Sequence, residues 1–214
     1  LELVKNENYW DGEPKIDKIT VRTISDGDTL TMALQSGEID AAYGMPYASY
    51  PLFDNDQYTF SSTATSRVFF GAMNYESEIT SDPAVREAIV LGIDKESFVK
   101  TLLGGNGYPA TGVYPDSFTF GGEAVREDSY DPQKAAKILE EAGWKDTDGD
   151  GVREKDGKTL TLRWLTYPSR QELPLLAEAA QATLGDIGFD VEINSTADHN
   201  SMRVDTSAWD IYVS

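Results

Sequence analysis

The most distinctive chemical pattern in the sequence is an acidic loop at residues 146–157. Asp146, Asp148 and Asp150 occur at alternate positions before a glycine, which is the spacing of the first half of an EF-hand calcium loop. The last position, where such a loop needs a bidentate glutamate, is Gly157. The pattern therefore predicts either a weak calcium site or a turn held by aspartate side chains, and the missing glutamate favours the turn.

A second candidate is Arg67, which precedes an apolar run that includes Phe69 and Phe70. A guanidinium at the start of a buried strand needs an acidic partner or an open cleft, where it can clamp a ligand carboxylate through two hydrogen bonds. A structural ion pair, an exposed strand end and a ligand clamp all fit this position. Phe69 and Phe70, together with Tyr108 and Tyr167, either line an apolar pocket or fill the core.

The residue types on which most enzymes rely are scarce. The chain has no cysteine, so it has neither a thiolate nucleophile nor a zinc site built on sulfur. Its single histidine, His199, lies in the polar run 195–201 and is predicted to be a solvated loop residue, which makes it a poor candidate for a catalytic base. No nucleophile elbow, phosphate-binding loop or dinucleotide fingerprint occurs. A hydrolase or transferase function is therefore not expected.

The overall charge excludes two classes of partner. The formal net charge is -19, from 37 acidic and 18 basic residues. Such a chain repels a phosphate backbone and an anionic lipid surface, so neither nucleic acid nor an anionic membrane is an expected partner. No apolar run approaches the roughly 20 residues that span a bilayer. Residues 1–10 lack the basic start and apolar stretch of a signal peptide.

The elements that must position these candidates alternate between strands and helices, which predicts an α/β fold. Hydrophobic periodicity predicts strands at 16–24, 38–43, 66–74, 159–166, 189–193 and 209–213. It predicts helices at 28–36, 82–93, 94–103, 131–143 and 171–187. The proline- and glycine-containing segment 106–129 is predicted to be a long loop.

Two features of this pattern carry more detail. The pairs Asp82-Pro83 and Asp131-Pro132 each place a capping aspartate before a proline, which is typical of a helix start. The run 66–74 is continuously apolar in its middle and too short for a helix, so we expect a central strand that is buried on both faces.

Several segments, taken in order, resemble the family 5 solute-binding proteins of bacterial ABC importers, which include peptide-, dipeptide- and nickel-binding components. The resemblance extends over essentially the whole chain. Its motifs are Val-Lys-Asn-Glu-Asn-Tyr-Trp at 4–10, Pro-Lys-Ile-Asp at 14–17, Ala-Leu-Gln-Ser-Gly-Glu-Ile-Asp at 33–40, Asn74, Asp-Pro-Ala-Val-Arg-Glu-Ala at 82–88, Ile-Asp-Lys at 93–95, Tyr-Asp-Pro at 130–132, Glu-Ala-Gly-Trp at 141–144 and Trp-Asp-Ile at 209–211.

The resemblance implies a periplasmic-binding-protein type II-like α/β fold that is partial, with one lobe plus part of the other. Proteins of this family have two lobes around a hinged cleft. By similarity, residues 1–65 are part of the first lobe and the inter-lobe region, and 66–214 are an incomplete second, C-terminal lobe. The chain is thus expected to be an internal fragment.

By the same resemblance, the strand from Arg67 contributes cleft contacts through Arg67, Phe69 and Phe70. The turn that contains Tyr43 and Met45 and the loop that contains Tyr167 and Arg170 also approach the cleft in relatives. The residues that commonly fix the amino end of a peptide would follow Ser214, so the cognate ligand stays open.

The function that the resemblance implies is capture of an extracytoplasmic peptide or related small solute for import, without catalysis and without a cofactor. A nickel or other metal-chelate importer component is the alternative, and a calcium-binding domain that uses the 146–157 loop is a weaker one. The expected partners are the small ligand and the membrane permease of the ABC transporter. The expected location is the periplasm or, for a lipoprotein, the cell surface.

Overall fold

The computed structural model describes residues 1–115, 118–120 and 129–214. These residues form two compact units, Leu1–Tyr58 and Thr59–Ser214. Parts of the predicted long loop, at 116–117 and 121–128, lie outside the described residues. The assignment of 1–65 and 66–214 to two lobes of a larger protein stays a prediction.

The first unit combines a short antiparallel strand pair with helical segments. β1 (Glu2–Val4) pairs with β2 (Lys18–Thr20), helix α1 (Gly27–Gln35) follows, and the 3-10 helix Tyr47–Phe53 comes last. The Asp26 carboxylate accepts the backbone N–H of Thr29 at 2.8 Å. This bond satisfies one of the free donors in the first turn and explains why α1 begins there.

Two strand predictions in the first unit need correction. The strand predicted at 16–24 is restricted to Lys18–Thr20. The strand predicted at 38–43 is wrong, because the backbone N–H groups of Glu38 and Ile39 both donate to the carbonyl of Ala33, at 3.0 and 3.3 Å. These residues fold back onto the end of α1, where Gly37 adopts a φ of 73°.

The second unit is built on a four-stranded mixed sheet. Its strands are β3 (Gly71–Met73), β6 (Thr161–Thr166), β7 (Asp190–Ser195) and β8 (Ile211–Val213), in the spatial order β3-β8-β6-β7. β6 is parallel to both β7 and β8, whereas β3 is antiparallel to β8. A small hairpin of β4 (Glu154–Lys155) and β5 (Lys158–Thr159) precedes β6.

The strand predicted at 66–74 is real but neither central nor buried on both faces. β3 covers only Gly71–Met73 and lies at one end of the sheet order, next to β8. Residues 66 and 67 before it are exposed, and Gly71 itself is exposed. The two inner positions of the sheet are taken by β8 and β6.

The helices of the second unit follow their predicted positions closely, except for a short helix at His199–Met202 where the sequence predicted a loop. They are α2 (Pro83–Gly92), α3 (Lys95–Ser97) with a π-helical turn at Phe98–Leu102, α4 (Pro132–Glu141), α5 (Glu172–Gly185) and the short α6 (His199–Met202). Asp82 and Asp131 cap α2 and α4 by accepting the backbone N–H groups of Ala84 and Lys134, both at 2.9 Å. The two predicted aspartate-proline caps are thus confirmed.

Side chains on the two faces of β6 enter two different apolar clusters. Leu162 and Trp164 belong to the main core, which α2, α4 and α5 supply with residues such as Ala88. Leu165 points to the opposite face and packs with Trp209 and Tyr212 in a smaller cluster. The alternation follows from the two-residue period of a strand. Helices therefore cover one face of the sheet, and a short segment around α6 covers the other.

A buried ion pair joins β8 to β6. Asp210, directly before β8, has no exposed surface, and its carboxylate accepts the backbone N–H of Arg163 at 2.7 Å and the Nε–H at 3.0 Å. The Arg163 NH2 group donates to the other carboxylate oxygen at 2.8 Å, and the hydroxyl of Ser77 donates to that same oxygen. These bonds fix the start of β8 beside β6 and so position its carboxyl end.

Candidate functional site

The carboxyl ends of the parallel strands meet the start of β3 at one edge of the sheet. Phe70 and Ser214 exchange two backbone hydrogen bonds of 3.1 and 3.2 Å. The Thr166 hydroxyl donates to the carbonyl of Val213 at 2.9 Å, and the N–H of Thr196 donates to the carbonyl of Thr166 at 3.0 Å. We call these residues and their neighbours the carboxyl-end edge. Open α/β sheets bind ligands at this edge, beyond the ends of their strands.

Three of the predicted site residues lie at or just before the β3 side of the carboxyl-end edge. Phe69 is half-buried and packs against the main core, whereas Phe70 is 51% exposed. Arg67 is exposed rather than buried, and its backbone N–H donates to the Thr65 hydroxyl at 3.2 Å. Among the described residues, no acidic side chain forms an ion pair with Arg67. The alternative of a structural ion pair is therefore not supported, whereas an exposed strand end and a ligand clamp both remain compatible with this position.

Two further predicted residues follow β6 at the same edge. The ring of Tyr167 is half-buried and stacks on the ring of His199, with 4.0 Å between the ring centroids and 26° between the planes. Arg170 is exposed, and its carbonyl accepts the backbone N–H of Leu173 at 3.1 Å at the start of α5. Tyr167 thus contributes an ordered aromatic ring to the edge, and Arg170 contributes an exposed positive charge near it.

The sequence did not identify His199 as part of this site. The prediction of a solvated loop residue is wrong, because His199 is half-buried at the start of α6. Its Nδ1 lies 2.8 Å from the hydroxyl of Tyr212, and its ring also stacks on Tyr167. The signal that could have revealed it is its place four residues after the carboxyl end of β7.

Burial changes the acid-base behaviour of Tyr212. The pKa of its phenol is raised above the ordinary value, first because burial penalises the phenolate and then because Tyr167 lies nearby. Tyr212 therefore stays protonated at neutral pH and can donate its hydrogen to an imidazole nitrogen of His199.

Tyr43 and Met45 belong to the first unit. Tyr43 is 96% exposed, and Met45 is half-buried just before the 3-10 helix. Gly44 between them adopts a φ of 75°. Residues with a side chain rarely adopt this backbone conformation, which explains the glycine in this turn. Their role as ligand contacts stays a prediction.

The acidic loop brings four carboxylates together. Oxygen atoms of Asp146, Asp148, Asp150 and Glu154 all lie within 4.8 Å of one another. Glu154 was not among the predicted ligands, although it occupies the ninth position counted from Asp146. Oxygen-rich clusters of this kind are the ligand type that calcium prefers. Whether calcium binds here stays a prediction.

The loop also has its own internal hydrogen bonds. The carboxylate of Asp146 accepts the backbone N–H groups of Gly149 and Gly151, at 2.6 and 3.1 Å. That of Asp150 accepts the N–H of Val152 at 2.8 Å. Such side-chain-to-backbone bonds are typical of aspartate-rich turns. The sequence favoured a turn of this kind over a calcium site.

The acidic loop lies at the opposite edge of the sheet from Arg67, Phe70 and Tyr167. Arg153, within the loop, donates its backbone N–H to Gly188 just before β7 at 2.9 Å, and its carbonyl accepts the N–H of Leu160 just before β6 at 2.7 Å. The loop is therefore tied to the amino ends of these strands. It does not belong to the carboxyl-end edge.

Comparison with known proteins then decides the family. Residues 1–214, the whole chain, match the family described as "Bacterial extracellular solute-binding proteins, family 5 Middle". This chain belongs to that family. The family 5 membership confirms the resemblance noted from the sequence, including the predicted location outside the cytoplasm.

Two curated relatives show the range of solutes within family 5. The chain is 32% identical over 196 residues to the nickel-binding periplasmic protein of Escherichia coli (strain K12), a match that covers 89% of this chain and 37% of that protein. It is 31% identical over 201 residues to the oligopeptide-binding protein AppA of Bacillus subtilis (strain 168), covering 90% of this chain and 36% of AppA. The chain thus spans little more than a third of the length of these relatives.

A solved structure confirms the fold class. NikA from Brucella suis, in complex with Fe(III)-EDTA, superimposes with a TM-score of 0.90 at 27% identity, covering 100% of this chain and 44% of NikA. The fold is a partial type II periplasmic binding protein, as predicted. Family 5 proteins are transport binding proteins rather than enzymes. Within the described residues, no helix combines the length and apolar character needed to cross a membrane.

Proposed function

We propose that this family 5 chain contributes the carboxyl-end edge of its sheet to the capture of a small peptide or a related solute that carries a carboxylate. The single observation that supports this most is that Arg67, which has no acidic partner among the described residues, and Phe70 are both exposed just before β3. An arginine can bind a carboxylate through two hydrogen bonds, and an aromatic side chain can contact apolar parts of the same solute, so this composition fits a surface for a carboxylate-bearing solute.

Each residue type has a separate part in this proposal. Arg67 binds the carboxylate through two parallel hydrogen bonds, a geometry that a lysine cannot reproduce. Phe70 and the ordered ring of Tyr167 contact apolar parts of the solute. Arg170, and Tyr43 and Met45 of the first unit, are proposed as further contacts.

A peptide is preferred to a bare metal ion because the chain offers few ligands for nickel. Nickel favours nitrogen and sulfur donors, but the sequence has no cysteine and a single histidine. One ring nitrogen of His199 already lies within hydrogen-bond distance of the Tyr212 hydroxyl. Within this chain, nickel would be bound through a chelate whose carboxylates meet Arg67. The metal-chelate alternative and the peptide share this chemistry.

The protein is proposed to bind and release its solute unchanged and to deliver it to the membrane permease of an ABC importer. The only histidine pairs with a tyrosine rather than with a hydroxyl nucleophile and a carboxylate, so no acid-base-nucleophile set forms around it among the described residues. Recovery of the bound solute in chemically altered form would contradict this part of the proposal.

The experiment that tests the proposal is isothermal titration of the full-length protein with di- and oligopeptides and with nickel, with and without free histidine. We expect a peptide to bind, and Arg67→Gln to weaken its binding about 10- to 100-fold, because a hydrogen bond to a charged group contributes about 1.5–3 kcal/mol. Lys137→Gln is the matched control, since it removes an exposed positive charge from α4.

A change in the ligand separates a carboxylate contact from general electrostatic attraction. A peptide with an amidated carboxyl terminus should bind the unmodified protein as weakly as the free-acid peptide binds Arg67→Gln. The same amidation should then have little further effect in Arg67→Gln, because the two changes remove one interaction. Independent, additive losses would show that Arg67 does not contact the carboxylate.

A further inference from the structure

His199 connects two tyrosines that belong to neighbouring strands. Its ring stacks on Tyr167, which follows β6, and its Nδ1 lies 2.8 Å from the hydroxyl of Tyr212 in β8. The planes of His199 and Tyr212 are also nearly parallel, at 12°, with 6.0 Å between centroids. The imidazole is therefore held from two sides, by a hydrogen bond and by a stacked ring.

Tyr212, which lies within hydrogen-bond distance of His199, is held firmly in the sheet. Tyr212 is 6% exposed and packs with Leu165 and Trp209. Its register in the sheet is fixed, because it pairs with Ala72 of β3 on one side and with Leu165 of β6 on the other. The Tyr212 hydroxyl is thus a rigid point from which His199 is oriented.

Tyr167 has no strand register to fix it, although its side chain packs against the edges of both apolar clusters. It lies directly beyond the last residue of β6 and is half-buried, with part of its ring accessible at the carboxyl-end edge. A ring at the end of a strand loses rotamer freedom when a ligand covers it, and ordering such a side chain in advance removes that cost from binding.

We propose that His199 is a positioning residue for solute binding. It transmits the rigid position of Tyr212 to the ring of Tyr167 and so holds that ring in place at the carboxyl-end edge before the solute arrives. This inference rests on the proposed function of that edge. It assigns His199 no direct contact with the solute.

The test compares three substitutions in the full-length protein by titration with the tightest-binding peptide. His199→Ala removes both the stacked ring and the hydrogen bond, and we expect affinity to fall about 2- to 10-fold, the effect of leaving one side chain to be ordered on binding. His199→Phe keeps a ring that can stack on Tyr167 but loses the bond to the Tyr212 hydroxyl, so it should recover only part of the affinity. Ser201→Ala, an exposed change in the same helix, should bind like the unmodified protein.

A spectroscopic measurement distinguishes positioning from a loss of fold. The stacked imidazole should shift the ring-proton resonances of Tyr167, so these resonances should move in His199→Ala but not in Ser201→Ala. Melting temperatures of all variants report folding separately. Should His199→Ala not fold, Tyr212→Phe removes only the anchoring hydroxyl and should lower affinity in the same direction.

The possible failures are distinguishable. Failure of the unmodified protein to bind any peptide or nickel chelate would contradict the proposed function and the inference with it. Normal binding by the unmodified protein, with the same affinity in His199→Ala and Tyr212→Phe, would overturn the inference alone. An equal loss in His199→Ala and His199→Phe would also overturn it, because stacking on Tyr167 would then not be the cause.

Discussion

Replacement of Arg163 by glutamine tests the buried ion pair that fixes β8 in the sheet. The change leaves the carboxylate of Asp210, which has no exposed surface, without the side-chain donors that now hold it at 3.0 and 2.8 Å. Ser77 and the backbone N–H of Arg163 remain as its only donors among those observed. We expect this variant to be much less stable than the unmodified protein.

The expected size of the loss follows from the burial of Asp210. Removing one partner of a buried pair and leaving the other charge uncompensated costs about 3–5 kcal/mol of unfolding free energy. We expect about 3 kcal/mol, because two neutral donors stay in place. The reverse change, Asp210→Asn, should cost less, because the Arg163 side chain is 39% exposed and water can solvate its charge.

The contribution of Asp210 to the pH dependence of stability should change sign in the same variant. Burial alone raises the pKa of Asp210, but the hydrogen bonds from Arg163 and Ser77 outweigh burial and hold that pKa below its ordinary value. In the unmodified protein this group therefore stabilises the fold above about pH 4 and ceases to do so as pH falls through its lowered pKa. Without Arg163, burial dominates and raises the pKa of Asp210, so the contribution of this group to stability should fall as pH rises above about 4.

Urea unfolding followed by tryptophan fluorescence, at several pH values between 3 and 8, measures both effects. Lys158→Gln is the matched control, because it breaks an ion pair with Glu78 of 2.9 Å whose partners are 51% and 75% exposed, and it should cost less than about 1 kcal/mol. A loss below about 1 kcal/mol for Arg163→Gln, or a pH profile parallel to that of the unmodified protein, would refute the reasoning.

Three further predictions concern packing, capping and the acidic loop. Gly92→Ala should destabilise the second unit by about 1–3 kcal/mol in urea unfolding, because a Cβ there would lie 2.7 Å from Ile187 Cδ1. Asp82→Ala should cost about 2 kcal/mol by the same assay, since it removes both the cap of α2 and a 3.0 Å bond to Lys155. Millimolar calcium should leave the melting temperature unchanged, because backbone N–H groups already bind the loop carboxylates; a clear rise would instead establish a calcium site at 146–157.

The helices of the second unit could be predicted from the sequence because their signals are local. A capping aspartate, a following proline and a helical stripe lie within about one to three turns of chain, so no distant partner is needed to recognise them. Asp82 and Asp131 mark the starts of α2 and α4 for this reason. The last residue of α2, Gly92, lies against Leu184 and Ile187.

The positions of strands in the sheet could not be predicted, because they depend on partners far along the chain. β3 pairs with β8, about 140 residues later, and nothing in the run 66–74 indicates which strand lies beside it. His199 was misjudged for the same reason. Its polar neighbours in sequence suggest solvent, but its contacts are Tyr167 and Tyr212, which reach it only through the fold.

The acidic loop at 146–157 and the proposed binding surface lie at opposite edges of the same sheet, and their side chains differ in whether they have partners. At the amino-end side, the carboxylates of Asp146 and Asp150 accept hydrogen bonds from their own loop. At the carboxyl-end edge, Arg67 has no acidic partner among the described residues and Phe70 is 51% exposed. Exposure of these two groups does not by itself require a partner, but it leaves a guanidinium and an aromatic ring able to contact a solute that carries a carboxylate. We therefore place solute capture where side chains lack partners rather than where the sequence pattern is sharpest.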